Sequence, residues 1–411
     1  MTSKKNILII THAGGSSKYG PNMRWYNFGL ALSKYNIKTN IIASSYFHKY
    51  INQPKVKNLV TVENINEIEY MWVKTRNYKK GGYSQVLNQL EFIFKSFLLT
   101  KKVFEKKPKL IIASSPHPLV IFPAFIFSRI VSAKLVYESR DLWPQVLFEL
   151  GVLKKRNPYY WLLKFSEYFG ILVSDIICSV KKGEYKYYKE KYNLKKTKFR
   201  YIANSFYNEK NFLEYKISIN IQEYCKEISK SNKFILSYVG ALSTYYNIKS
   251  ILHLAVKAQE DDLNVFFIIV GAGELYDFLS EKINSLNLKN IDLLGKLKRS
   301  DAQEILKISN AGYVSLQNLE IHKYGISCNK IYEYMNYSLP ILGHYKAKYD
   351  PITDARCGLV SDPNNTQQLF KDLKFMLDNP VLMKTMSFNS NNYYKEKHNT
   401  EILVKTLLDL I

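Results

Sequence analysis

Short apolar runs rich in β-branched residues alternate along this chain with longer amphipathic stretches. The first half carries NILIIT, TNIIAS, LIIASS, KLVYES, DIICSV and FRYIAN; the second carries FILSYVG, VFFIIVG, IDLLG, GYVSL, LPILG and GLVSD. Helical spacing of apolar residues falls between them, for example over 23–34, 248–259, 274–286 and 366–377. Strands apolar on both faces, separated by helices, predict parallel sheets covered on each side. Two such series in a row predict two doubly wound, Rossmann-like α/β domains, with the loops at their strand carboxyl ends facing each other across a cleft. The join falls in the polar stretch 202–231. The expected division is therefore 1–205, 206–385, and a C-terminal piece, 386–411, that crosses back as a helix onto the first domain.

Composition fits this division. A chain of 411 residues is too long for one core, and 46% hydrophobic residues suit a folded protein. Lys and Arg number 59 against 35 Asp and Glu, a net charge of +24, which favours anionic partners; some of the excess Lys and Tyr reflects coding bias. The four cysteines (Cys178, Cys225, Cys328, Cys357) form no C-x-x-C pair, so neither a zinc site nor a disulfide framework is expected, and a reducing cytosol fits. The opening MTSKKNILIITHAGG reads as a first strand and its loop rather than a signal peptide. The apolar stretch 119–127 is broken by Pro123 and falls short of the ~20 residues that span a bilayer. A basic, Tyr-rich segment, 181–200, is expected to lie as a helix on an anionic membrane surface.

Candidate chemistry gathers in the loops after strands. YGISCNKIYEYMNYSLPIL, 324–342, reads as a turn, a helix over 328–335 capped by Ser327, and a buried strand. Asn329 and Lys330 lie in its first turn, and Glu333 shares the face of Lys330. Free N–H groups at a helix start, a lysine beside them and a carboxylate one turn deeper together suit a nucleotide diphosphate and its ribose. An amphipathic helix with a solvated Lys/Glu pair explains the same spacing. VGAGEL offers Gly271 and Gly273 at a helix start, and VGAL places Gly240 after another strand. In the first half, HAGG sets Gly14 and Gly15 after the first strand, with Arg24 at the start of the next helix. SSPHPL fixes His117 between prolines, and YESRDLWPQ clusters Glu138, Arg140 and Asp141 at a strand end. No G-x-G-x-x-G follows the first strand, which disfavours a nicotinamide dehydrogenase.

Taken in order, E-x-R-D-L-W-P, S-D-I-I-x-x-S, VGAL, VGAGEL and G-I-S-x-N-K-I-Y-E-Y-M-x-x-x-x-P-I resemble glycosyltransferase family 4, the retaining enzymes of GT-B fold. The likeness runs over about 7–377 and is strongest to the bacterial subgroup that builds lipopolysaccharide, capsule and similar surface polysaccharides. The resemblance implies a nucleotide sugar held mainly by the C-terminal domain and an acceptor held mainly by the N-terminal one. No metal or other cofactor is implied, because the helix dipole and basic side chains stabilise the leaving diphosphate. It implies catalytic roles for His117, facing the donor sugar, and Lys330, on the diphosphate. Gly240, Gly271, Gly273, Ser327, Asn329 and Glu333 go to the nucleotide sugar, and Gly14, Gly15, Arg24, Glu138, Arg140 and Asp141 to the acceptor side.

The chain departs from the family pattern in three places. Where many relatives carry a Glu separated by seven residues from Glu333's counterpart there is Gly325, and Glu320 on a longer loop is the substitute. Ala241 and Tyr246 stand where an Arg and a Lys usually hold the diphosphate, leaving Lys298, Lys323 or Lys330 to take over. Asn204-Ser205 replaces the usual Asn-Gly. The expected function is transfer of a hexosyl or N-acetylaminosugar group, from a nucleotide sugar with a UDP leaving group, to a lipid-diphosphate-linked saccharide. The expected location is the cytoplasm, peripherally on the inner membrane, with no nucleic-acid partner. The alternatives are a nucleotide-sugar epimerase of the same fold and a non-enzymatic protein that binds anionic surfaces.

Overall fold

The computed structural model describes residues 5–79, 81–206 and 217–411. The first sheet comprises β1 (Lys5–Ile10), β2 (Ile37–Ser44), β3 (Val60–Ile65), β4 (Ile68–Val73), β5 (Leu110–Ser114), β6 (Lys134–Ser139), β7 (Ile176–Ser179) and β8 (Phe199–Tyr201). Their order is β3-β4-β2-β1-β5-β6-β7-β8, parallel except for the β3–β4 pair. Every residue of β4 and β5 is buried, as a sheet covered on both faces requires. The second sheet comprises β9 (Phe234–Val239), β10 (Val265–Val270), β11 (Ile291–Gly295), β12 (Ala311–Ser315), β13 (Ile341–His344) and β14 (Gly358–Ser361). It is parallel throughout, in the order β11-β10-β9-β12-β13-β14. Its core divides by strand parity. Leu236, Tyr238 and Phe267 join the cluster on one face, and Ile235, Phe266 and Ile268 the cluster on the other.

Both sheets are doubly wound, so each has a point where successive connections leave in opposite directions. It lies between β1 and β5 in the first sheet and between β9 and β12 in the second. Open α/β sheets bind ligands outside the strand carboxyl ends at such points.

The chain forms two compact units, 1–204 with 400–411, and 205–399. The expected C-terminal piece, 386–411, is thus divided. The helix Pro380–Tyr393 stays with the second unit, and only the helix Thr400–Leu408 joins the first, burying Leu403, Val404 and Leu407 there. The segment 202–231 includes a helix, Ile219–Lys230, and 207–216 lie outside the described residues.

The Tyr-rich segment 181–200 also differs from expectation. Its helix, Glu184–Tyr192, turns its rings inward: Tyr187 and Tyr188 are buried, and the hydroxyls of Tyr187 and Tyr192 donate to Glu167 Oε2 at 3.2 and 2.6 Å. Lys191 Nζ rests 4.4 Å from the centre of the Tyr187 ring. These aromatics serve the core and present no apolar face to a membrane. Among the described residues no helix is long and apolar enough to cross a bilayer. No cluster of His, Cys, Asp and Glu there could hold a metal. All four cysteines are buried and unpaired with one another.

Candidate functional site

In the second unit the site is built on β9 and on the helix Asn329–Asn336. That helix buries Ile331, Tyr332, Tyr334 and Met335, and the hydroxyl of Tyr334 locks it to the sheet by accepting from Val239 N at 2.9 Å. The same anchoring carries Lys330 inward. Its side chain is only 6% exposed, and Nζ has no hydrogen-bond partner among the described residues. Nζ lies instead 3.9 Å from the centre of the Tyr238 ring and 3.7 Å from that of Tyr246. Cation–π contact offsets part of the cost of removing an ammonium from water, worth ~2 kcal/mol for a desolvated pair. The remainder shows in the titration: burial pulls the Lys330 pKa down to about 7, against the smaller opposing pull of Cys328 and Glu333. Gly240 makes room for the lysine, since a Cβ there would sit 3.1 Å from Nζ.

The helix begins at Asn329 with Cys328 as its N-cap, and no side chain caps it. Ser327, expected as the cap, places its hydroxyl 3.1 Å from that of Tyr332. The N–H of Ile331 turns back to the Cys328 carbonyl at 3.1 Å, and no side-chain cap occupies the first-turn donors before it, as an anion site needs. Asn329 is exposed at that start. Glu333 is half-buried, and burial raises its pKa while Arg299 and Lys330 pull it down.

The glycines nearby serve a different purpose from the one their motif suggests. A Cβ on Gly271 would lie 1.8 Å from the carbonyl oxygen of Gly240, and one on Gly273 would lie 2.1 Å from that of Leu242. The loops after β9 and β10 run against each other and exchange backbone hydrogen bonds: Gly240 N–H to Val270 at 2.9 Å, Leu242 N–H to Ala272 at 3.0 Å and Leu275 N–H to Leu242 at 3.1 Å. The backbone that approaches these glycines is the neighbouring loop. Glu320 lies in a 3₁₀ turn with its side chain 85% exposed, 3.9 Å from Lys323. Lys298 is exposed as well, so Lys330 is the buried cation among the three substitutes considered.

In the first unit Arg24 and Glu138 form one buried network. Arg24 Nε donates to Glu138 Oε1 at 2.9 Å, and the guanidinium also reaches the carbonyls of Ile202 and Ala203 at 2.7 and 2.5 Å. Glu138 Oε2 accepts from Trp25 Nε1 at 3.0 Å and Ser114 Oγ at 2.6 Å. These two residues tie β5, β6 and the end of the first unit together, with their hydrogen-bonding capacity largely spent inside the fold. Arg140 differs: its Nε is buried without a hydrogen-bond partner, and burial lowers its pKa. Asp141 is half exposed, 3.7 Å from Lys181 Nζ. Gly14 and Gly15 pack on their own chain; a Cβ on Gly15 would meet the Pro21 carbonyl at 1.9 Å.

His117 follows β5 and is 1% exposed, with neither ring nitrogen hydrogen-bonded among the described residues. Its nearest titratable neighbour is His12, after β1, with ring centres 5.0 Å apart. His12 Nε2 lies 2.5 Å from Asn88 Oδ1, so the ring donates through Nε2. Burial depresses both pKa values, that of His12 to about 4, and keeps both rings neutral at pH 7. The sequence reading used HAGG for its glycines and passed over His12. The signal was present, because a doubly wound order sets the first strand beside the one that leads to His117. The sequence marks neither tyrosine around Lys330 as a site residue, since Tyr246 stands out there only as the occupant of a lysine position.

Residues 221–395 match the family model of glycosyl transferases group 1. No curated protein matches the sequence significantly. Among solved structures, a sucrose-phosphate synthase from Thermosynechococcus elongatus superposes with a TM-score of 0.71 at 13% identity, over 99% of this chain and 98% of its own. Anabaena HepE in complex with UDP-glucose gives 0.66 at 14% identity, over 98% of each chain. WaaG, a glycosyltransferase involved in lipopolysaccharide biosynthesis, gives 0.67 at 13% identity, over 98% of this chain and 99% of its own. The chain therefore has the fold of the GT-B glycosyltransferases, and its second unit carries a glycosyl transferases group 1 domain.

Proposed function

We propose that this protein is a retaining, metal-independent glycosyltransferase of family 4. In this reading it moves a hexosyl or N-acetylaminosugar group from a UDP-sugar to a lipid-diphosphate-linked saccharide during assembly of a surface polysaccharide, working from the cytoplasm at the inner membrane. The observation that carries the reading is Lys330, a buried amine without a hydrogen-bond partner, beside an uncapped helix start at the switch point of the second sheet. A diphosphate placed there meets backbone donors and a lysine already desolvated, so its charge is stabilised in a site of low dielectric. Glu333, one turn on, is assigned to the ribose hydroxyls. As the anomeric C–O bond breaks, its electron pair goes to the diphosphate; the acceptor oxygen bonds to the same face, and its proton passes to the departing phosphate. His117 and Arg140, each with a buried nitrogen lacking a hydrogen-bond partner, are assigned to sugar hydroxyls and acceptor. The UDP complexes of HepE support the choice of base, and the part WaaG takes in lipopolysaccharide biosynthesis supports the pathway.

Nucleotide-dependent thermal stabilisation tests the reading. UDP should raise the melting temperature of the wild type, and Lys330→Met should reduce turnover more than UDP-sugar affinity, because charge on the diphosphate grows towards the transition state. A wild type that responds to neither UDP nor GDP would sink the proposal.

A further inference from the structure

Three neighbouring elements on one side of the first unit expose large apolar side chains where a soluble surface would be polar. The helix Pro158–Val173 is apolar nearly all round. Its inner face buries Tyr160, Leu163 and Ile171, while Trp161, Phe165 and Leu172 are 60%, 54% and 62% exposed. Trp161, Phe165, Tyr168 and Leu172 follow a 4-3-4 spacing, which makes a single outward stripe. This helix packs beside Ile121–Ile130 through Phe122, whose ring stacks 5.5 Å from that of Phe169. Ile126 and Ile130 extend the apolar surface there. The helix Tyr83–Ser96 and the 3₁₀ turn after it, joined to the same group by the Phe97–Phe127 contact, add Phe94 and Leu98, 69% and 59% exposed. Large apolar side chains exposed on elements packed side by side mark an interaction site.

The charges around it indicate the occupant. Arg129, Lys154, Lys155 and Arg156 are exposed at its edge. The helix Ile121–Ile130 has no acidic residue, and on Pro158–Val173 the one carboxylate, Glu167, is 1% exposed and bound by Lys164, Tyr187 and Tyr192. Of the flanking acids, Glu149 accepts from Gln145, Asp175 from Leu135 N–H, and Glu91 on Tyr83–Ser96 pairs with Arg76 and Lys95. Glu105 is an exposed acid on the flanking helix Thr100–Lys106, beside Lys101 and Lys102. An isologous pairing of two copies would bring the same cationic rim against itself in a chain of net charge +24. An anionic lipid surface matches both features, apolar side chains entering the headgroup boundary and cations meeting phosphates.

We propose that this face, carried by the helices Ile121–Ile130 and Pro158–Val173, docks the protein on an anionic bilayer. Trp161, Phe165 and Leu172 enter the interface, and Arg129, Lys154, Lys155 and Arg156 contact lipid phosphates. The Tyr-rich helix Glu184–Tyr192, whose rings are turned inward, is not the docking element. The inference deepens the reading of a lipid-linked acceptor and rests on it for its purpose, while vesicle binding itself requires no catalysis.

The test is sedimentation of the full chain with vesicles of phosphatidylglycerol and phosphatidylcholine, against vesicles of phosphatidylcholine alone. The expected result is binding to the anionic vesicles, weakened by salt, with a blue shift in tryptophan emission that Trp161→Phe removes. Trp25 and Trp72 are buried and Trp143 is half-buried, so Trp161 is the reporter. The double variant Trp161→Gln/Phe165→Gln should lower partitioning more than tenfold and leave stabilisation by UDP unchanged. Lys154→Ser/Lys155→Ser/Arg156→Ser should abolish the preference for anionic lipid. Absence of wild-type binding, or equal binding by the double variant, overturns the proposal. So does self-association that the double variant abolishes without any vesicle binding, which would assign the face to a second copy. Vesicle binding in a protein indifferent to UDP would overturn the donor reading and leave this one standing.

Discussion

Lys330 carries the residue-scale argument because its surroundings set both its charge and its reach. Its pKa of about 7 lies well below the 10.5 of a lysine in water, so the native site holds its proton less tightly than the unfolded chain does. Below pH 7 the native state bears the full cost of a buried ammonium. From pH 7 towards 10.5 the native amine loses its proton while the unfolded lysine keeps its own, and stability rises. Lys330→Met should therefore be more stable than the wild type at pH 6, by about 1–3 kcal/mol once the contacts with Tyr238 and Tyr246 are allowed for. That advantage should shrink by pH 9. Denaturant melts at the two pH values decide it, and an advantage independent of pH would show that Lys330 does not titrate in this range. Arg24 contrasts with Lys330, being a buried cation with every bond made inside the fold. Arg24→Met strands the Glu138 carboxylate and should cost about 3–5 kcal/mol, read by the same melts.

At the scale of elements, the nucleotide side of the second unit depends on two loops crossing and on one helix beginning without a cap. Gly273→Ala would force the loops after β9 and β10 apart by well over an ångström. It should cost more than about 2 kcal/mol, in the range of overpacked sites, and should remove stabilisation by UDP. A variant with wild-type UDP response would show that the crossing does not shape the site. Ser327→Ala removes the buried 3.1 Å contact with the Tyr332 hydroxyl and should cost about 1 kcal/mol in melts; unchanged stability would show that this contact does not hold the loop to the helix.

On the scale of the whole molecule, the last twelve residues matter out of proportion to their number. They return the chain to the first unit, where Leu403, Val404 and Leu407 are buried beside the helix Arg24–Ser33 and Lys34 pairs with Glu401. Truncation after Asn399 exposes that apolar surface at about 1.5–3 kcal/mol per large side chain. It should lower the protease resistance of the first unit while the second keeps its response to UDP. Equal loss in both units, seen by limited proteolysis with and without UDP, would refute this division of labour.

The apolar runs of NILIIT and VFFIIVG sufficed to predict parallel sheets, because a strand covered on both faces must be apolar at consecutive positions. The two series of runs likewise predicted two doubly wound domains. Local spacing also placed a helix at 328–335, within one residue of Asn329–Asn336. Other features depended on which distant residues meet. Nothing local separates a solvated Lys330 from one buried between Tyr238 and Tyr246, since burial is decided by strand order and by Tyr334 anchoring the helix. Gly271 and Gly273 look the same whether a ligand or a neighbouring loop approaches them. Glu138 reads as an acceptor-side charge until Arg24, 114 positions away, is seen to saturate it. Sequence determined the elements, whose period is written in neighbouring residues. Only the tertiary structure decided which polar groups are satisfied within the fold and which remain for a ligand, because desolvation and hydrogen bonding depend on contacts between residues far apart in the chain.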